Sequence, residues 1–505
     1  MGVPGANDMI RCPRRLHFGG GPLAVLAVLA MAVGACGSSG APTRPSASPP
    51  AVGTAAPSLS PAAPPTGPDP VIIDTDLSSD DTMALPFLLR EPGIDVLAVT
   101  VVGTGLVHCG AGMQAVTNIL ATLGIDGVPV SCGRDEPLAG THAFPAEWRA
   151  AADDGFGLAL ERRSVSMPAL DAPALIRSLA GSAARPITIV ALGPMTNLAE
   201  AMRDDASLAA RIERLVVMGG AIDVPGNVAL GAPDDPPLPA EWNVYADPTA
   251  ADIVFRSGVP ITLVPLDATN HVPLNSAFVV ALEADHVAAA ADIAYELLMK
   301  HGVAPGEFFW DQLASVVAVD ESVATFETMN LSVETTEGPD SGRISRADDG
   351  ASIRVATSAD AKAFEARFLA GLRLGPPRPH PFVSAGSFAA RFDGSTCVDE
   401  APDVLAAGDW IVTVQTTAAG TTAFVVVRFH EGAGWDELLE YFATAEDPTA
   451  QPSFVDVAAY SIFEAPGSAT LIAPVTPGSY GLVCLHIAAD VNRGFAGSGP
   501  FTVGP

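Results

Sequence analysis

Val71-Ile72-Ile73-Asp74-Thr75-Asp76-Leu77-Ser78-Ser79-Asp80-Asp81-Thr82-Met83-Ala84-Leu85 is the stretch on which the reading of the fold turns. Its β-branched run, 71–73, reads as a buried strand. Four carboxylates follow within eight residues, and Met83, Leu85, Leu88 and Leu89 then recur as the apolar positions of a helix. In open α/β sheets ligands bind at the carboxyl ends of strands, where these acids stand. Four like charges this close repel unless a proton or a cation intervenes. A divalent ion resolves the repulsion, and an all-oxygen ligand set favours Ca²⁺ or Mg²⁺ over zinc. Acids at a helix start are also stabilised by the helix dipole without any ligand. An EF-hand opens with similar acidic spacing, but its sixth and twelfth positions, counted from Asp74, hold Ser79 and Leu85 instead of Gly and Glu. That reading is excluded.

Outward from this stretch, short apolar runs alternate with helical patterns as far as about residue 374. Strands are expected at 71–73, 96–102, 128–131, 187–191, 215–218 and 261–264, with helices at 112–123, 172–179, 197–203 and 248–255. The alternation predicts an α/β domain at 70–374, a mostly parallel (mixed) open sheet with helices on both faces. Gly193-Pro194 reads as a tight turn, with Thr196 or Asn197 capping the next helix. Asp247-Pro248 reads as an N-cap followed by Pro at the first helical position. Asp311, just ahead of the apolar run 313–319, reads on its own as another N-cap. Beyond the proline-rich linker 375–382, the runs 409–416, 422–429 and 479–486 alternate apolar and polar residues. They predict a second, all-β sandwich domain over 383–505.

The 505 residues are enough for two cores. A formal charge of −31 argues against nucleic acid and anionic lipid headgroups as partners, and suits a metal ion or a neutral or cationic small molecule. At the N-terminus, Arg11, Arg14 and Arg15 precede an apolar segment, 22–33, too short to span a bilayer. It ends in Val33-Gly34-Ala35-Cys36, which resembles a bacterial lipobox. The resemblance implies a signal peptide at 1–35, lipidation of Cys36 and anchoring to the extracytoplasmic face of the cell membrane. An ordinary secretory signal is the alternative, with the protein then released. Residues 36–69 are Ser, Pro, Ala, Thr and Gly with almost no charge and read as a disordered tether. Setting aside Cys12 and Cys36 leaves an even number of cysteines. Pairs Cys109–Cys132 and Cys397–Cys484 are expected, because each stays inside one domain.

Taken in order, the motifs over roughly 71–374 resemble the inosine–uridine-preferring nucleoside hydrolase family. Asp76, Asp80 and Asp81 keep the spacing of its D-T-D-x-G-x-D-D signature, with Leu77-Ser78 where Pro-Gly is usual. Gly193-Pro194-Met195-Thr196-Asn197 is similar to its G-P-L-T-N turn. Met218-Gly219-Gly220, Gly226-Asn227 and Ala240-Glu241-Trp242-Asn243 through Asp247-Pro248 follow its M-G-G, G-N and A-E-F-N-x-x-x-D-P series.

The resemblance implies a Ca²⁺-dependent enzyme that cleaves the N-glycosidic bond of ribonucleosides. Asp76, Asp81, the Leu192 carbonyl and Asp311 would hold the calcium, with Asp76 as general base. Asp80, Met218, Asn227, Glu241 and Asn243 would contact the nucleoside, and Trp310 would stack on its base. Trp310 replaces the His of most members, as in purine-specific ones, which points to a purine. Thr104 stands where Asn is usual. Two other classes stay open: a surface nucleoside-binding lipoprotein without turnover, and a cell-surface interaction protein acting through the β-domain. Homo-oligomerisation is also left open. The segment 477–486 is similar to the last hairpin of a cupredoxin. No Met follows Cys484 and Ala423 occupies the expected upstream His position, so Cys484 reads as half of a disulfide and no copper is expected.

Overall fold

The computed structural model describes residues 67–166, 168–230, 236–302, 306–444, 452–463, 466–487 and 494–504. The expected signal peptide, Cys36 and nearly all of the tether lie outside these residues. β1 (Asp69–Thr75) sits inside a nine-stranded sheet, parallel to β2 (Ile94–Val101) on one side and β4 (Ile187–Ala191) on the other. β3 (Val130–Cys132), β5 (Ile212–Met218) and β6 (Ile261–Val264) continue the parallel set. All six expected strands are present.

Three further strands lie outside that expectation: β7 (Ala324–Val333), β8 (Ile344–Arg346) and β9 (Ala351–Ala359). They close the sheet in the order β3-β2-β1-β4-β5-β6-β9-β7-β8, and the β9–β7 and β7–β8 pairs are antiparallel. The sheet is therefore mixed at one edge, as expected for this fold class. β7 alternates half-exposed and exposed residues along its first half, so no continuous apolar run marks it in the sequence.

The pleat divides the core in two. Val71, Ile73, Val190, Val216, Met218 and Val264 face one helical layer. Ile72, Ile189, Leu215, Val217 and Leu263 face the other. Both faces of β1 are covered, which is why its apolar run is unbroken. Ile73 is fully buried, so Ile73→Ala is expected to cost about 2–5 kcal/mol.

The C-terminal domain forms two sheets, β11-β10-β13-β16 and β12-β18-β17-β14-β15. Their strands are β10 (Gly386–Phe392), β11 (Cys397–Asp399), β12 (Val404–Leu405), β13 (Gly408–Thr416), β14 (Thr421–Phe429), β15 (Val455–Phe463), β16 (Gly467–Val475), β17 (Gly478–Ile487) and β18 (Gly494–Val503). Phe392, Val412, Phe424, Leu482 and Phe501 fill the space between the sheets. A helix, Trp435–Thr444, interrupts the strands where the sequence pattern suggested strands alone. Cys397–Cys484 joins β11 to β17, and Cys109–Cys132 links the first domain's Cys109–Thr122 helix to β3. The Cys484 sulfur is thus committed to a disulfide, and His486 spends its Nε2 on the Ala419 carbonyl at 2.9 Å.

The 375–382 segment is not a free linker. Ala289 N–H donates to the Pro376 carbonyl, and the Arg378 side chain is buried against the Ala289–His301 helix. Ile411 and Ile472 of the second domain join the first domain's core.

Candidate active site

The acidic stretch works because β1 ends at Thr75 and a helix, Ser79–Arg90, starts four residues later. Between them Leu77 takes a left-handed backbone (φ 51°), unusual for a branched residue, with its side chain buried. Ser78 caps the helix, and Ser78 and Asp81 form a reciprocal capping box. Ser78 Oγ donates to Asp81 Oδ2 at 2.8 Å and also reaches Asp80. A glycine here would keep only the backbone N–H bond to Asp81, so the hydroxyl adds the side-chain half of the cap and the contacts to Asp80 and Asp81. Thr75 Oγ1 donates to Asp81 Oδ1. Asp76 is held by the Leu106 N–H on Oδ2 at 2.9 Å. Gly105 and Gly193 leave the space that Asp76 fills, since a Cβ at either would collide with it.

Asp311 comes from the far end of the domain. It is the second residue of the Trp310–Val319 helix, whose N-cap is Phe309, so the capping role is not its own. Its backbone N–H points at Asp80 Oδ2 at 3.4 Å, across 231 residues of sequence. Asp80, Asp81 and Asp311 bring one oxygen each within 4.8 Å of one another. Asp76 and Asp311 both lie within hydrogen-bonding reach of Asp81. Burial, then the charges of neighbouring carboxylates, pushes Asp76, Asp80 and Asp311 above the usual carboxylate range. Among the described residues, no Lys, Arg or His pairs with any of these four acids.

The donor set answers whether a divalent cation fits. Asp311 Oδ1 is buried with no hydrogen-bond partner, the ligands are all oxygen, and their mutual repulsion calls for positive charge. A hard cation fits these residues. The expected carbonyl ligand, Leu192, follows β4 at the same sheet edge and accepts the Asn243 Nδ2–H at 2.9 Å.

Asp76, Asp80 and Asp311 open onto a cavity of about 500 Å³, together with Leu192, Met218, Asn227, Glu241, Asn243 and Trp310. Every expected nucleoside contact therefore lines one space. Asp81 lies behind them, fully buried. Glu241 is already engaged: as N-cap of the short helix Trp242–Ala246 it accepts the Gly220, Asn243 and Val244 N–H groups. Burial nonetheless pushes its carboxyl up to about 7. Asn227 Oδ1 accepts the Trp242 N–H at 3.2 Å.

Two turn residues behave otherwise than their local sequence suggests. Neither Thr196 nor Asn197 caps a helix; the N-cap is Met195, with no side-chain bond. Thr196 Oγ1 donates to Asp247 Oδ2, and Asn197 Nδ2 donates to Asp74 Oδ1 and the Val101 carbonyl. They tie the turn after β4 to the ends of β1 and β2 and to the cap of the Pro248–Phe255 helix, behind the site. Thr104 joins this brace through Thr196 at 2.8 Å and is buried behind the cavity instead of lining it. Asp247 caps the Pro248–Phe255 helix as expected, through Ala250 N–H.

The remaining wall went unread in the sequence. Phe144, Trp148, Phe156, Trp242, His301 and Glu307 also line the cavity. Phe144 stacks on Trp242 at 4.8 Å between ring centroids, and Trp148 meets Trp242 edge-on at 5.4 Å. One local signal existed: Phe156 lies between two glycines, and all three residues adopt left-handed backbones.

Comparison with known proteins bears on this geometry. Residues 71–366 match the family model described as inosine-uridine preferring nucleoside hydrolase. The pyrimidine-specific ribonucleoside hydrolase RihA of Shewanella sp. (strain ANA-3) is 36% identical over 202 residues, 40% of this chain and 60% of that protein. Uridine nucleosidase 1 of Arabidopsis thaliana is 34% identical over 206 residues, 41% of this chain and 58% of that protein. The chain thus spans about 60% of the length of the curated relatives it matches. Among solved structures, a plant nucleoside hydrolase has a TM-score of 0.54 at 27% identity, over 61% of this chain and 99% of that one. The purine-preferring ribonucleoside hydrolase from Gardnerella vaginalis has a TM-score of 0.52 at 26% identity, over 60% and 98%.

Proposed function

The chain belongs to the inosine-uridine preferring nucleoside hydrolase family, and from that premise we propose that it hydrolyses ribonucleosides to ribose and free base, with calcium as cofactor. The observation that carries this reading is the meeting of Asp311 with the β1-end carboxylates beside a nucleoside-sized cavity. Asp76, Asp81, Asp311 and the Leu192 carbonyl would hold the ion, with Asp80 close enough to share it or to face the sugar. A divalent cation there supplies charge that offsets the carboxylates and makes a water easier to deprotonate.

The chain's own groups do the rest. Asp76, steadied by the Leu106 amide, takes the proton from the water that attacks C1′. The C1′–N bond breaks with oxocarbenium character at the ribose, a charge that the surrounding carboxylates stabilise. Asn227, Asn243 and Glu241, each already positioned by a hydrogen bond of its own, supply their remaining amide and carboxyl capacity to the ribose hydroxyls. The departing base keeps the electron pair of the C1′–N bond, is protonated from solvent, and lies against Trp310, whose wide aromatic face favours a purine. Curated relatives named for pyrimidines and a solved purine-preferring one make base preference a direct question for the assay.

The reading extends to location: residues 1–35 direct export and Cys36 carries a lipid. Cys36→Ser should release the protein from the membrane fraction; unchanged membrane retention counts against the anchor.

The deciding measurement is release of ribose from inosine, guanosine and uridine, each with calcium and with excess chelator. Activity that survives chelation removes the cation from the account. Stabilisation by nucleoside without ribose release makes the protein a binder instead of an enzyme.

A further inference from the structure

Arg378 stands in the segment that joins the two domains, yet its guanidinium is among the most deeply buried charges in the molecule. Nη1 pairs with Asp292 Oδ2 at 2.8 Å and Glu296 Oε2 at 2.6 Å, both on the Ala289–His301 helix. Nη2 donates to the Ala159 carbonyl at 2.6 Å. The Ala159 N–H in turn donates to Glu296 Oε1 at 2.9 Å. One residue thus ties the interdomain segment, a helix and the 156–159 loop together.

That loop and that helix end form one wall of the cavity. Phe156 and His301 line it, with their rings edge to face at 5.3 Å. Lys300 Nζ holds the Gly157 carbonyl at 2.6 Å, and His301 Nε2 lies 3.3 Å from the Phe156 carbonyl. Phe156 keeps a left-handed backbone (φ 55°) that a non-glycine residue adopts only when its surroundings impose it. The second domain presses on the same helix: a Cβ on Gly302 would stand 3.4 Å from the Thr470 carbonyl of β16.

We propose that Arg378 is a positioning residue for the nucleoside pocket, holding the 156–159 loop against the Ala289–His301 helix so that Phe156 and His301 complete the wall facing the substrate. The C-terminal domain, through this segment, becomes part of what shapes the pocket. Reference to a nucleoside rests on the function proposed above; the holding of the loop does not.

The test uses the full chain with three variants: Arg378→Lys, Arg378→Met, and the charge-compensated Arg378→Met/Glu296→Gln, which avoids leaving two unpaired buried carboxylates. In the compensated variant, amide hydrogen exchange at 156–160 should quicken while the strands of the main sheet keep their protection. KM for the nucleoside should rise about tenfold, with kcat within about threefold and the calcium midpoint unchanged. Arg378→Lys should recover part of the exchange protection and of KM, since one ammonium can meet the carboxylates but lacks the fork that reaches Ala159. Unchanged exchange at 156–160 in the folded double variant overturns the proposal, and so does an unchanged KM. If the wild-type chain releases no ribose, the nucleoside Kd from calorimetry replaces KM. A wild-type chain that neither hydrolyses nor binds nucleoside ends the functional reading, while the exchange measurement still decides the role of Arg378.

Discussion

Asp292 and Glu296 are buried as completely as Asp81 and Asp311, but the two groups are neutralised in opposite ways. The first pair meets Arg378, with His286 and Lys300 at its edges. The second group, with Asp76 and Asp80, meets only other carboxylates, hydroxyls and backbone N–H groups among the described residues. A buried acid with a guanidinium beside it is a structural joint. A buried acid among acids is a site built for something cationic. Burial alone does not separate the two; the company each carboxylate keeps does.

The largest effect that can break this comparison is on turnover. Asp76→Ala should lower kcat by roughly a thousandfold, the scale expected on the proposed roles of Asp76 as general base and ion ligand, with circular dichroism unchanged. Residual activity near wild type would mean that the acidic group is ordinary structure. The complementary change is Asp292→Asn, which leaves Arg378 half-matched in the joint. It should cost about 3 kcal/mol in urea unfolding, equally with and without calcium.

Trp310→Ala should raise KM for inosine about tenfold, the scale of one lost base-stacking contact, with less effect on uridine. Asp311→Asn should raise Tm slightly in excess chelator, by relieving repulsion, and abolish the rise expected when calcium is added to the wild type. If it lowers Tm in chelator as Asp292→Asn does, the two groups are the same kind of joint.

The last test is a pH dependence. Burial holds Glu241 at about 7 in the folded chain against an ordinary value of 4.5. Protonation therefore favours the fold: its contribution is complete below about pH 4.5 and is lost as pH rises through about 7. Glu241→Gln should flatten the fall in Tm between pH 5 and pH 8. An unaltered fall would place the titrating group elsewhere.

How much of the fold and site was legible in the sequence depended on whether a signal was local. β1, its acidic end and the Asp247-Pro248 cap are written in consecutive residues, and each appears where the pattern put it. The disulfide pairs were legible from domain bounds alone. Thr196 and Asn197 looked like caps because capping is what such residues do locally, but their partners, Asp247 and Asp74, are a distant helix cap and a residue of β1. Arg378 was hidden for the same reason, since a proline-rich setting suggests a solvated linker and nothing nearby in sequence predicts two carboxylates some 80 residues upstream. The wall from Phe144 to Phe156 was unreadable because its place over the cavity is set by α/β topology and not by its own composition.

Each domain also carries its own covalent staple, and the two are unequal in reach. Cys109 and Cys132 are 23 residues apart, Cys397 and Cys484 are 87. By loop-closure entropy the longer tie is worth about 4.6 kcal/mol to the sandwich, a large part of the stability of a domain that size. Protein produced in a reducing cytosol would therefore be weakened most at its C-terminal end. A preparation should be checked for free thiols before a silent assay is blamed on the active site.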